Sequence, residues 1–294
     1  MSDAAAVEQV SVRSDARAIR RRRIGTTLIY SVLVAIAFVY IFPFVLAIAT
    51  SFKTDPNATA DPLALIPNPV TTSAFHQLYH DQDFFLWVKN SAIVTLSVTF
   101  VRVFLDSLAG YALARLRFRG RGAAFATIVA VMAVPGVVLL IPKFLIIRQF
   151  GIYDTYYGMI IPLFVDAAGV FIMKNFFESV PVSVEESARI DGANLFKIYW
   201  LIVLPMARPA LITLFILSFQ GSWNELSHFI ISAQSASLNT LTKGVAQLAS
   251  GQLGSGNRYP LKLAASVLMT IPVAVLFFIF QRRIMNTSAG AVKE

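Results

Sequence analysis

Glu185–Pro209 reads EESARIDGANLFKIYWLIVLPMARP, a helically patterned polar passage set between two strongly apolar segments. Ser183-Val-Glu-Glu186 has the form of a capping box, which predicts a helix start at Ser183. Val184, Ser187, Ala188 and Asp191 then share one face of small or short side chains, with Glu185, Glu186 and Arg189 on the others. Asp191-Gly192 supplies the stop, because glycine accepts the left-handed conformation that closes a helix. Asn194 is placed to cap a second helix running to Leu204, where Pro205 and then Pro209 interrupt it. A short helix, a tight turn and a second helix make a knob standing on a membrane surface.

That surface is implied by composition. Of 294 residues, 56% are hydrophobic and only 14% charged, against about 25% in a soluble domain. The chain therefore reads as an all-α, polytopic membrane protein. Its net charge of +9 does not point to nucleic acid, since the basic residues cluster at the ends of apolar segments. The absence of cysteine excludes disulfides, thiol nucleophiles and thiolate metal sites. His76, His80 and His228 are too scattered for a metal site by local spacing. No P-loop pattern occurs, so the chain has no ATP site of its own.

Six transmembrane helices are predicted, at about 24–49, 90–114, 123–142, 155–173, 209–233 and 263–281. Residues 1–23 form a basic tail ending in Arg20-Arg21-Arg22-Arg23, suited to an anionic leaflet. Ala47-Ile48-Ala49 mimics a signal-peptidase site, but the apolar run before it is longer than a signal core, so the first helix is retained. Outer loops are expected at 50–89 and 234–262, and a tail at 282–294. An even number of spans puts both termini on one side. The two tails, the 115–121 loop and the 174–208 region together hold 17 Lys and Arg, and the opposite loops and span ends hold seven. The positive-inside rule then makes the termini and the 181–205 loop cytoplasmic.

On these residues the chain resembles the permease subunits of bacterial ATP-binding cassette importers. Their EAA loop has Glu-Ala-Ala, three residues, Gly, nine residues, then Ile-x-Leu-Pro. Here it is Glu186-Ser187-Ala188, Gly192 and Ile202-Val203-Leu204-Pro205, with both gaps kept and serine for the first alanine. Asn90-Ser91, Ala109-Gly-Tyr111-Ala-Leu-Ala-Arg115, Trp223-Asn224-Glu225, Phe280-Gln281-Arg282-Arg283 and the Gly290-Ala-Val-Lys293 tail look like the carbohydrate-importing, maltose-type six-helix branch.

The resemblance implies a type I importer permease fold in a bacterial cytoplasmic membrane. It implies an extracytoplasmic sugar-binding protein, a second permease in a heterodimer, and two copies of a cytoplasmic ATPase that hold ATP and Mg²⁺. It binds no cofactor itself. Glu186, Ser187, Ala188, Asp191, Gly192, Ala193, Leu204 and Pro205 are the implied ATPase-coupling residues. Glu186 serves as a charged contact, as the capping-box acid, or as both. Ala188 and Gly192 let the helix sink into a groove on the ATPase.

Charged groups inside spans are costly and face protein or water. Arg102 and Asp106 are four apart and read as a mutually neutralising pair. Asp166 lacks a local partner and suits either a sugar hydroxyl or a neighbouring helix. Trp223, Asn224, Glu225 and His228 suit a sugar path, by stacking and hydroxyl bonding, or packing between helices. A neutral sugar is preferred, for want of a basic cluster in the spans. The competing functions are an ion- or proton-coupled secondary transporter, a glycerol-phosphate-type importer permease, and a membrane enzyme. No convincing inverted repeat supports the first, and no HExxH or clustered His and carboxylate set supports the last.

Overall fold

Across a bilayer each backbone N–H and C=O must find its partner within the protein, which favours helices. The computed structural model describes residues 2–252 and 258–290, with the side chains of 25–252 and 258–281, and among them no strand occurs. Among the described residues, four helical stretches are long and apolar enough to cross a membrane: Gly25–Ser51, Phe84–Arg115, Tyr156–Ser179 and Tyr259–Gln281. Two more pass that test only as bent pairs, Arg121–Met132 with Gly136–Gln149 and Leu195–Met206 with Arg208–Trp223. Counting each pair as one span gives six, by length and composition.

Proline explains both corners. Pro135 donates no N–H and disfavours helix at Val134, so the helix ends at Met132 and a 3₁₀ turn, Gly136–Leu139, restarts the chain. The result is a 102° corner, where the sequence predicted only an interruption inside one span. The 12 residues of Arg121–Met132 rise about 18 Å, short of a hydrocarbon core of ~30 Å. The second corner, 78°, falls at Ala207 between Pro205 and Pro209.

Five other stretches differ from the sequence-based expectation. The second long helix starts at Phe84, inside the expected outer loop. The fourth span is stepped: Tyr156–Ile160, a 3₁₀ turn Ile161–Leu163, then Ala167–Ser179. The fifth stops at Trp223, and a short helix Ser227–Ser232 follows. The expected loop 234–262 contains a helix, Leu241–Ala249, capped by Thr240, whose side chain accepts the Lys243 N–H. The last helix continues to Gly290, so the expected tail signal from Ala291 onward lies outside the described residues.

Among the described residues three buried clusters hold the bundle, and Phe84–Arg115 contributes to each. Phe84 and Trp87 join Leu78, Phe219, Trp223, Leu241 and Leu261. Val94 and Val98 join Met159, Leu163 and Phe229. Tyr111 and Ala114 join Met173, Phe177, Ile198, Tyr199 and Leu214. Close approach to Ala167–Ser179 requires Gly110, where an added Cβ would meet the Met173 Cβ at 2.7 Å and the Lys174 nitrogen at 2.8 Å. The first helix packs mainly on the last and leaves Leu28, Phe38 and Tyr40 exposed.

Candidate functional site

The 181–205 segment is built from the inside outward. Val182–Ile190 forms the helix, with Pro181 as its N-cap and no side-chain capping bond. Pro181 begins the helix ahead of Ser183, so the predicted capping box does not form and Glu186 is released from that role. The chain closes in a Schellman turn: Gly192, at φ +80°, donates to the Arg189 carbonyl at 3.0 Å, and Ala193 donates to Ala188 at 2.9 Å. Asn194 caps the next helix as expected, its Oδ1 accepting the Lys197 N–H at 2.9 Å. That helix widens into a π-helical run, Ile198–Val203. Pro205 would press its ring on the carbonyl of Leu201 in a regular helix, and the wider turn relieves that clash.

Burial divides the motif. Glu185 and Ala188 are buried, while Ser183, Glu186, Ser187, Ile190, Asp191 and Gly192 are exposed. Of the four residues predicted to share one face, Ala188 is buried and Val184 half-buried, while Ser187 and Asp191 are exposed. Ala188 packs into this chain's own core, beside Ile198 and Tyr199. Ala193, Leu204 and Pro205 are half-buried, the first two against the same cluster.

The residue that sequence reading missed is Glu185. Its side chain is 3% exposed and lies 2.9 Å from Arg115 Nε, itself in a side chain 8% exposed. The N–H does not point along that line, so the contact is an ion pair without a directed hydrogen bond. Tyr111 donates its hydroxyl proton to Glu185 Oε2 at 3.2 Å, and the Arg115 guanidinium also donates to the Val180 carbonyl. Arg189 adds a longer contact of 3.8 Å. Removing one partner of such a buried pair costs on the order of 3–5 kcal/mol. Arg115 and Tyr111 are distant from Glu185 in sequence, so no local spacing announces the cluster.

The second candidate group separates into buried and open members. Trp223 is buried, stacked on Phe219, and donates Nε1–H to the Met269 carbonyl at 3.1 Å. His228 is buried with Nε2 3.1 Å from the Met159 carbonyl. Both are held inside the bundle by contacts with neighbouring segments. Asn224 is exposed, and half-buried Glu225 accepts the His228 N–H at 2.8 Å. Asp166 has a local partner after all, capping Ala167–Ser179 through the Gly169 N–H at 3.1 Å, and a distant one, since its own N–H donates to Asp106 Oδ1 at 3.1 Å. The expected Arg102–Asp106 pair is not made. Arg102 Nε donates to the Leu163 carbonyl at 2.8 Å, where the stepped span exposes it. Asp106 instead fixes the step.

Outside the spans, Asp154 ties two loops together. It adopts φ +59°, which short polar side chains tolerate. Its carboxylate accepts the N–H groups of Gln234 at 2.7 Å and Ser235 at 2.9 Å, and the Ser235 hydroxyl. Those bonds, that of the Ser235 hydroxyl foremost, hold its pKa below the ordinary carboxylate range. Lys243 donates to the Ala233 carbonyl at 2.7 Å, and burial lowers its pKa.

Residues 106–286 match the model for the binding-protein-dependent transport system inner membrane component. The chain is similar to the polygalacturonan/rhamnogalacturonan transport system permease protein YtcP of Bacillus subtilis (strain 168), 31% identical over 93% of this chain and 99% of that one. The sulfoquinovosyl glycerol transport system permease protein SmoH of Agrobacterium fabrum (strain C58 / ATCC 33970) is 33% identical over 86% and 89%. Among solved structures, a chain of a bacterial ABC transporter involved in the import of the acidic polysaccharide alginate superposes with a TM-score of 0.76. It is 26% identical and matches over 88% of this chain and 96% of its own. With the loop, the helical bundle and these likenesses in agreement, the chain belongs to the binding-protein-dependent inner membrane components, the permease subunits of ATP-binding cassette importers.

Proposed function

We propose that this permease carries a carbohydrate, received from an extracytoplasmic binding protein, across the bacterial cytoplasmic membrane by alternating access. The observation that carries the reading is the division of the 181–205 loop. Glu185 and Ala188 hold it to the bundle, while Glu186, Ser187, Ile190 and Asp191 form an open face on a capped, rigid turn. In this reading that face enters a cleft on a cytoplasmic ATPase, and Glu186 meets an arginine there. ATP and Mg²⁺ belong to that subunit, since no P-loop occurs in this sequence. ATP and sugar shift the permease only through their different affinities for its inward- and outward-open states.

The orientation rests on charge: 17 basic residues against seven put the loop and both termini in the cytoplasm. One loop per chain calls for a second permease, a different one, and two ATPase copies. The open apolar flank of the first helix suits lipid and that second permease. Relatives named for arabinooligosaccharides, polygalacturonan/rhamnogalacturonan and sulfoquinovosyl glycerol support a carbohydrate of either charge class, which widens the neutral sugar expected from the spans. Asn224, exposed where the helix breaks, is the path residue the geometry favours, with Glu225 beside it. Reconstitution with the ATPase, the second permease and the binding protein tests the proposal. Sugar uptake should require ATP and persist when ion gradients are collapsed; uptake that follows an ion gradient without ATP contradicts it.

A further inference from the structure

Two clusters of contacts lie at opposite ends of one helix. At the N-terminal end of Phe84–Arg115, Asn90 Nδ2 donates to the carbonyls of Ser237 at 2.9 Å and Asn239 at 2.8 Å. Asn90 Oδ1 accepts the Tyr156 hydroxyl at 2.5 Å, and Ser91 Oγ accepts the Leu241 N–H at 2.7 Å. The Trp87 ring rests against Gly244. At the C-terminal end lie Tyr111, Arg115 and Glu185, with Ser107 Oγ 2.6 Å from the Tyr199 hydroxyl. Asn90, Ser91, Ser107 and Glu185 are all buried. Both ends are thus polar latches closed away from water, where a made bond is strong and a broken one costly.

What lies between them is stiff. Phe84–Arg115 has 32 residues and no internal break, which spans about 48 Å. Among the described residues the other spans are bent pairs, a stepped helix, or helices with an internal proline at Pro43 or Pro272. Side chains of this helix enter all three buried clusters. A force on either latch therefore moves the same body.

We infer that Phe84–Arg115 is a connecting rod, with Arg115 and Glu185 as positioning residues that weld the coupling helix to one end while Asn90 and Ser91 seat the 237–244 segment on the other. The inference rests on the proposed function, in which the binding protein docks on the side of that segment and the ATPase on the side of the coupling helix. Loading at one end then reaches the other without passing through the bent spans.

The test uses the assembled complex in lipid nanodiscs. It reads the ratio of ATP hydrolysis with loaded binding protein to hydrolysis without it. The probe is whichever of the arabino-, galacturonate- and malto-oligosaccharides raises wild-type hydrolysis most. Glu185→Gln and Ser91→Ala, at opposite ends, should each lower that ratio by about fivefold or more, within the usual range of site coupling. The complex should be recovered in wild-type amount by size exclusion. The double variant should do no worse than the stronger single one, since either cut disconnects the same rod. Arg115→Lys, which keeps the charge, should retain part of the stimulation. Wild-type ratios in both single variants, or losses that simply multiply, overturn the inference and leave the functional reading standing. A wild-type complex that no binding protein stimulates sinks that reading, and the inference with it. If Glu185→Gln fails to assemble, Asn90→Ala, Ser91→Ala and Arg115→Lys decide by the same ratio.

Discussion

Glu185 and Glu186 are neighbours with opposite surroundings: the first is 2% exposed and ion-paired, the second open to solvent. Glu186→Ala should leave the permease's own melting temperature unchanged, because surface substitutions usually stay within about 0.5 kcal/mol. The same variant should lose ATPase subunit in co-purification. Gly192→Val forces a β-branched residue to φ +80°, at a cost of roughly 1–2 kcal/mol. Membrane insertion should persist while sugar uptake falls relative to ATP hydrolysis. Trp223→Ala removes a buried indole, worth about 3–5 kcal/mol, and should lower thermal stability whatever the sugar. Trp223→Phe should recover most of that stability, and sugar-dependent effects should appear at Asn224→Ala instead. The turn residues Gly192 and Asn194 were legible in the sequence because their work is local. Glu185 was not, because its partners Arg115 and Tyr111 come from another helix, and a pattern read along one segment holds no trace of them.

Among the elements, apolar runs and basic flanks made the spans legible, while the corners were not. Pro135 announces a break, but its angle of 102° depends on what each half packs against. The Leu241–Ala249 helix was hidden in a Gly- and Ser-rich stretch, and is ordered by Thr240 and by the seat of Leu241 and Leu248 on the long helix. Gly110 makes the contact with Ala167–Ser179 possible, so Gly110→Leu should drive those helices apart. Lower yield of folded protein and a melting temperature below that of Gly110→Ala check it. The Asp154 latch has a definite pH dependence. Its carboxyl is held below the ordinary value of ~3.9, so its contribution is present at neutral pH. That contribution is lost as pH falls through the lowered value. Asp154→Asn should increase proteolysis of the 230s loop at neutral pH, and the difference from wild type should shrink in strong acid.

In the whole molecule the account comes down to an exposed turn on a buried anchor. The bundle is continuous where Phe84–Arg115 runs through it and bent where Pro135 and Pro205 interrupt it. The chain has no native cysteine, so a single Ile190→Cys, at a side chain 87% exposed, reports on that turn alone. The decisive measurement is cross-linking of this cysteine with a short bifunctional reagent in the assembled complex, with and without ATP. The account predicts a covalent product with the ATPase subunit whose yield changes on ATP binding. Protection from reagent on the cytoplasmic side together with labelling from outside, or no product with the ATPase in a transporting complex, contradicts it.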